Sequence, residues 1–136
     1  MKIIQIVGRA NTGKTTFIKN LIPQLKKHGR TGVIKHLADH DYKLDPGKDT
    51  TQFFENGAEI SAGIDPDKAV VTLHTNSLED LLLFFKIKGL DFVILEGFKT
   101  WNFPKIVIGD LPSDSCILRN PTIEQVIVSL PLFEDY

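Results

Sequence analysis

The feature that most constrains this chain is a glycine-rich segment that begins at its eighth residue. Gly8-Arg9-Ala10-Asn11-Thr12-Gly13-Lys14-Thr15 matches G-x-x-x-x-G-K-[ST] at every specified position. Residues 2–7, KIIQIV, form an apolar run that predicts a buried strand before this segment. An amphipathic helix is predicted after it, from about Lys14 to Lys27. A strand, this segment and a helix in that order predict a phosphate-binding loop, or P-loop.

The residue types in this loop are those that the phosphates of a nucleoside triphosphate require. Glycines let the backbone curl so that its N–H groups point at phosphate oxygens, and the helix N-terminus adds positive potential. Lys14 is expected to reach the β- and γ-phosphates, and the hydroxyl of Thr15 to bind Mg²⁺. The predicted nucleotide-binding residues of the loop are Gly8, Asn11, Thr12, Gly13, Lys14, Thr15 and Thr16.

The rest of the chain predicts an α/β fold. Strands are predicted at 31–36, 59–64, 68–74, 91–96, 105–109 and 116–118, and short helices at 49–56 and 77–88. The segment from Asn120 to Tyr136 suits a helix capped at Asn120-Pro121 or a strand over EQVIVSL, and we favour the strand. This alternation predicts a three-layer P-loop NTPase fold with a mostly parallel sheet, as a single nucleotide-binding domain over residues 1–136.

Composition argues against several classes of partner. The formal net charge is -1, which gives no reason to expect a nucleic-acid partner. No run of 18 apolar residues is present, so no membrane span is expected. Cys116 is the single cysteine, and the N-terminus has no signal-peptide pattern. Together these features predict a cytoplasmic protein.

A carboxylate is expected near the Mg²⁺ ion, at the end of a second buried strand. Glu96 follows the apolar run 92–95, which would place it at the sheet edge where ligands bind in open α/β sheets. The alternative is an exposed acid at a strand end. The polar loop after the second strand adds Asp45 and Asp49 as candidate metal ligands, direct or through water. Lys48 is either a second phosphate-binding lysine or a solvated one.

No motif for reading the base is visible, because no asparagine in the chain is followed by lysine as an N-K-x-D element requires. An aromatic cluster of Phe98, Trp101 and Phe103 follows Glu96, and we favour a packing or partner surface over a base-stacking site. His36 and His40 could suggest zinc, but without cysteines or an H-E-x-x-H arrangement a zinc site is not favoured, and contacts to phosphate, substrate or each other are favoured instead.

Further segments follow the P-loop in a recognisable order. They are VIKH at 33–36, HDYKLDPGKDT at 40–50, NGA at 56–58, DFVILEGFK at 91–99 and PKI at 104–106. With GRANTGKTT at 8–16, this order and spacing resembles the molybdopterin-guanine dinucleotide biosynthesis protein B (MobB) family over most of residues 2–108.

The resemblance implies that the chain binds GTP with Mg²⁺ and is at most a slow Mg-dependent GTPase, with Lys14 and Glu96 as catalytic residues. It implies that Thr15 and Glu96 lie near the metal. It also implies a homodimer that assists a MobA-like molybdopterin guanylyltransferase. The site residues that it adds from the polar loop are Asp45, Lys48 and Asp49. The predicted strands at 59–74 either pair between subunits or pack internally.

Two other functions are compatible with the same residues. A P-loop small-molecule kinase, or another NTPase, would use the same loop but also needs a second pocket and an arginine-bearing lid. The arginines of this chain, Arg9, Arg30 and Arg119, form no such lid-like run. A binding module would use the loop only as a scaffold, which predicts that Lys14→Ala changes neither partner binding nor the response to nucleotide.

Overall fold

A computed structural model describes residues 1–38 and 40–136 of the chain. The chain separates into two units, one of Met1–His36 with Glu79–Tyr136 and the other of Leu37–Leu78. One nucleotide-binding domain over residues 1–136 stays a prediction. In chain order the elements are β1 (Lys2–Gly8), α1 (Lys14–Leu25), β2 (Thr31–Lys35), α2 (Asp49–Glu55), β3 (Ile60–Ile64), β4 (Ala69–Leu73), α3 (Leu78–Ile87), β5 (Phe92–Glu96), β6 (Lys105–Ile108), β7 (Cys116–Arg119), α4 (Ile123–Val128) and a short 3-10 helix at Leu130–Leu132.

A five-stranded sheet lies at the centre of the first unit, in the order β2-β5-β1-β6-β7. Every neighbouring pair is parallel. All five residues of β5 are buried, as expected of a parallel strand that is covered on both faces. The P-loop strand β1 and the Glu96 strand β5 are neighbours, so their carboxyl ends meet at one edge of the sheet.

Helices cover both faces of this sheet. On one face Ile18, Leu21 and Leu25 of α1 are buried in a cluster with strand residues such as Ile4 and Ile94, and α4 adds Val126. On the other face α3 packs against β2. The ring of Phe85 in α3 lies so close to Gly32 in β2 that an added Cβ would be 2.6 Å from it. Gly32 pairs with Val93, which alternates with Ile94 and therefore faces the opposite side. The three-layer α/β fold predicted from the sequence is confirmed.

The C-terminal segment is a helix, so the strand favoured there by the sequence is wrong. The backbone N–H of Gln125 donates to the Thr122 hydroxyl at 3.2 Å, and the Thr122 N–H donates to the Gln125 side chain at 2.8 Å. This reciprocal capping box satisfies two N–H groups that α4 would otherwise leave unpaired. Asn120 does not cap the helix, since its side chain accepts the N–H of Gly109 at 2.6 Å.

The second unit consists of an antiparallel hairpin of β3 and β4 with helix α2 packed on it. The hydroxyl of Ser61 donates to the carbonyl of Thr50 at 2.7 Å and ties β3 to α2. The rings of Phe54 and His74 stack with their centroids 3.7 Å apart. The helix predicted at 49–56 and the strands predicted at 59–64 and 68–74 are therefore all present. Among residues 1–38 and 40–136, none of the helices has the length and apolar character needed to span a bilayer.

Candidate functional site

The P-loop connects β1 to α1 at the carboxyl edge of the sheet, and its two glycines are needed for different reasons. Gly13 adopts φ 86° immediately before α1, a backbone conformation that other residues adopt at a cost. A Cβ added at Gly8 would lie 2.4 Å from the carbonyl oxygen of Ile108 on the neighbouring strand β6. Gly8 therefore allows close approach of two strands, and Gly13 allows the turn into the helix.

The side chains of Lys14 and Thr12 both donate to the carbonyl oxygen of Arg9, at 2.6 Å and 2.9 Å. Burial lowers the pKa of Lys14, the charge of Glu96 opposes that shift, and the positive charges of Lys99 and Lys35 add to it. Lys14 therefore lies in the electric field of Glu96 and of two other lysines, at the end of the sheet where phosphates are predicted.

The first turn of α1 is open to an anion. Its first intrahelical bond at this end runs from the N–H of Phe17 to the carbonyl of Gly13, at 2.9 Å. The backbone N–H groups of the residues before Phe17 have no partner within the helix, as at any helix N-terminus. Thr15 and Thr16 are both exposed there. Asn11, with φ 59°, completes the curled loop before Gly13.

Glu96 is the last residue of β5 and is 8% exposed. Its Oε1 lies 3.2 Å from Nζ of Lys35, the last residue of β2. Gly97 follows with φ 93°, and its N–H donates to the carbonyl of Ile6 in β1 at 3.0 Å. Glu96 is thus a nearly buried acid one strand away from the P-loop. Sequence reasoning did not include its ion-pair partner Lys35 among the site residues.

Asp45, Lys48 and Asp49 lie in the second unit, and all three are exposed. Oδ1 of Asp45 accepts the N–H of Gly47 at 2.9 Å, and the N–H of Lys48 donates to the Asp45 carbonyl at 3.2 Å. Asp49 is the first residue of α2. The structure therefore groups these three around one turn, whereas Thr15 and Glu96 belong to the first unit.

The residues of the first unit fit a magnesium ion that is held largely by a nucleotide. Mg²⁺ takes hard oxygen ligands and usually binds through one or two carboxylates together with phosphates and water. The Thr15 hydroxyl and the Glu96 carboxylate are such ligands. Within residues 1–38 and 40–136, no group of three or more His, Cys, Asp or Glu side chains is placed to hold a metal.

Two buried polar side chains fix the loop that follows Glu96, and sequence reasoning missed both. Nε2 of Gln5 donates to the carbonyls of Gly97 and Phe98, at 2.9 Å and 2.6 Å. Nζ of Lys105 donates to the carbonyl of Trp101 at 2.5 Å, and burial lowers the pKa of Lys105. The signals available in the sequence were Gln5 inside the run KIIQIV and Lys105 at the start of the run KIVI.

The aromatic residues after Glu96 form two separate contacts. Trp101 stacks on Phe103 with centroids 5.8 Å apart and planes 8° apart. Phe98 instead contacts the ring of His36, with centroids 4.9 Å apart. Both contacts are between side chains of the chain itself, and the role of these aromatic residues stays a prediction.

A family model described as molybdopterin guanine dinucleotide synthesis protein B (MobB) matches residues 3–128. The molybdopterin-guanine dinucleotide biosynthesis adapter protein of Escherichia coli is 37% identical over 113 residues, which cover 78% of this chain and 64% of that protein. The probable adapter protein of Bacillus subtilis is 33% identical over 110 residues, again covering 78% and 64%. This chain thus spans less than two thirds of the length of these curated relatives.

Solved structures show the same fold. The crystal structure of Bacillus subtilis MobB superposes with a TM-score of 0.74 at 22% identity and covers all of both chains. A crystal structure of molybdopterin-guanine biosynthesis protein B superposes with a TM-score of 0.57 at 28% identity, covering 77% of this chain and 66% of that one.

Proposed function

This chain belongs to the molybdopterin guanine dinucleotide synthesis protein B (MobB) family, and we propose that it binds GTP with Mg²⁺ as an adapter in molybdenum cofactor biosynthesis. The observation that carries the proposal is the arrangement of the P-loop and Glu96. A complete G-x-x-x-x-G-K-[ST] loop precedes α1, and a nearly buried carboxylate ends the adjacent strand. These are the two parts that a triphosphate and its metal ion need at one sheet edge.

In this proposal each part of the loop has a defined role. The N–H groups at the start of α1 and the curled backbone from Gly8 to Gly13 hold the phosphate oxygens. Lys14 binds the β- and γ-phosphates, and the hydroxyl of Thr15 and the carboxylate of Glu96 hold Mg²⁺. Bound Mg²⁺ would neutralise charge on the phosphates. Asp45 and Asp49 are also proposed to bind the metal, and Lys48 the phosphates.

Hydrolysis of GTP is proposed to be slow, with Lys14 and Glu96 as its catalytic residues. Fast phosphoryl transfer needs a cation such as an arginine to stabilise the transition state. Each of the three arginines has another partner in the chain, since Arg9 pairs with Asp110 at 3.1 Å while Arg30 and Arg119 donate to backbone carbonyls. The site therefore favours holding the nucleotide over cleaving it.

The word adapter in the names of the relatives supports a protein partner, which we propose to be a MobA-like molybdopterin guanylyltransferase. A cytoplasmic location is proposed with it, because the single thiol, on Cys116, is free.

A homodimer is also proposed, with the β3–β4 hairpin as its interface. One face of this hairpin is entirely apolar and exposed, and Ile64 is 87% exposed. Exposed apolar faces of this kind mark interaction surfaces. The residues of this hairpin face are Ile60, Ala62, Ile64, Ala69, Val71 and Leu73.

Calorimetric titration with Mg²⁺ and either GTP or ATP tests the nucleotide assignment. We expect GTP to bind more tightly than ATP, and Lys14→Ala to weaken GTP binding at least about tenfold through loss of a charge-assisted contact. Lys19→Ala, on the exposed side of α1, is the matched control and should leave the affinity unchanged. Equal or tighter binding of ATP would overturn the guanine assignment, and unchanged binding by Lys14→Ala would overturn the P-loop assignment.

A further inference from the structure

Lys35 lies at the same edge of the sheet as the P-loop and Glu96, but it belongs to neither the P-loop motif nor β5. It ends β2 and pairs in register with Glu96, the last residue of β5. Its Nζ lies 3.2 Å from Oε1 of Glu96, and its side chain is 52% exposed while that of Glu96 is 11% exposed. The carboxylate is therefore covered, whereas the ammonium group that it holds faces solvent.

The order of the strands fixes which part of a nucleotide this ammonium group can meet. Because β5 lies between β1 and β2, Glu96 stands one strand away from the P-loop and Lys35 stands two strands away. Neighbouring strands are about 4.8 Å apart, so Lys35 ends its strand about 10 Å from β1. A phosphate chain that starts in the P-loop and extends past Glu96 would meet Lys35 at its far end.

The charges at this edge are unbalanced in favour of an anion. The charges that act on Lys14 are the carboxylate of Glu96 and the ammonium groups of Lys99 and Lys35. One carboxylate cannot neutralise three ammonium groups. Glu96 also has acceptor positions beyond the one that Lys35 uses, since a carboxylate offers about four. The same acid can therefore hold Lys35 through Oε1 and take part in metal binding through its other oxygen.

We propose that Lys35 is a further nucleotide-binding residue, which contacts the terminal phosphate and selects a nucleoside triphosphate over a diphosphate, with Glu96 positioning its ammonium group. This inference rests on the proposed function, because it requires the nucleotide to lie in the P-loop. A static ion pair is the competing account. The ammonium group of this pair faces solvent, which screens the ion pair, and a static pair would leave nucleotide selectivity unchanged.

The test compares the dissociation constants of a non-hydrolysable GTP analogue and of GDP, each with Mg²⁺, by calorimetry. Lys35→Met should weaken binding of the triphosphate analogue about tenfold or more, the usual effect of losing a hydrogen bond to a charged group. Binding of GDP should change less than about twofold, because GDP has no phosphate at that position. Lys35→Gln, which also loses the charge, should give the same selective loss, and Lys35→Arg should retain most of the selectivity.

Lys99→Met is the matched control, because Lys99 contributes to the same electric field but has no ion pair with Glu96 among those found in residues 1–38 and 40–136. A loss shared equally by both nucleotides in Lys35→Met would overturn the inference and leave the proposed function standing. The same selective loss in Lys99→Met would also overturn it, since general field strength would then explain the effect. Failure of the unaltered protein to bind either nucleotide would overturn the proposed function itself.

Discussion

Replacement of Gly8 by alanine tests whether the P-loop depends on the close approach of β1 and β6. An ideal Cβ at Gly8 would lie 2.4 Å from the Ile108 carbonyl oxygen and 2.9 Å from the Thr12 hydroxyl. The Thr12 side chain can rotate away. Ile108 pairs with Gly8 in the parallel ladder, so its carbonyl can move only with the strand. We therefore expect Gly8→Ala to lower the free energy of unfolding by about 3 kcal/mol, the upper end of the usual cost of overpacking.

Gly13→Ala makes the same change in the same loop without the collision. An ideal Cβ at Gly13 has no neighbouring heavy atom within 4 Å, so only the left-handed backbone at φ 86° is unfavourable. That conformation costs an alanine about 1 to 2 kcal/mol. Gly8 does not have a positive φ, so its loss reports the contact between the strands, and we expect it to exceed the conformational cost at Gly13 by about 1 kcal/mol or more.

Urea unfolding of the two variants and the unaltered chain measures this difference, and the slopes of the curves show whether the unfolded states are comparable. Gly57→Ala is a further control, because Gly57 has φ 102° and an equally open Cβ position but lies outside the P-loop. We expect it to match Gly13→Ala in stability and to leave GTP binding intact. A loss in Gly8→Ala no larger than that in Gly13→Ala would refute the reasoning, since β6 would then move away at little cost.

Three further predictions concern the helix cap, the buried lysine and the hairpin. Thr122→Ala should lower the free energy of unfolding by about 1 kcal/mol, and Thr122→Ser should restore it, as measured by urea unfolding. Burial lowers the pKa of Lys105 in the folded protein below its unfolded value of about 10.5. Between these two pKa values the unfolded chain binds more protons than the folded one, so the free energy of unfolding should rise with pH. Lys105→Met should remove that rise, and an unchanged difference between the two proteins from pH 7 to 10 would contradict it. Ile64→Lys should convert a dimer to a monomer in sedimentation, while Val70→Lys, on the opposite face of the hairpin, should not.

Most of the fold could be predicted because its strands and helices carry strong local patterns. The apolar runs of β1 and β5, followed at once by Gly8 and by Glu96-Gly97, locate two buried parallel strands and their carboxyl ends. The C-terminal helix was missed because Val126, Ile127 and Val128 favour a strand by residue type, while the decisive signal is the reciprocal bond between Thr122 and Gln125. A capping box spans only four residues, so it is a weak signal in a sequence, although it determines where the helix begins.

The residues of the candidate site also differ in whether a local sequence pattern identifies them. Lys14 and Thr15 could be proposed from the sequence alone because a phosphate-binding loop concentrates its chemistry in eight consecutive residues. Lys35 and Gln5 could not, because their partners lie 61 and 92 residues away and each bond depends on which strands are neighbours. The strand order β2-β5-β1-β6 is what brings Lys35 to Glu96. Once that order is known, a role can be proposed for the lysine at the end of β2. Its charge stands beyond the acid that we propose to bind the metal, on the side of the sheet edge where we propose that the terminal phosphate lies.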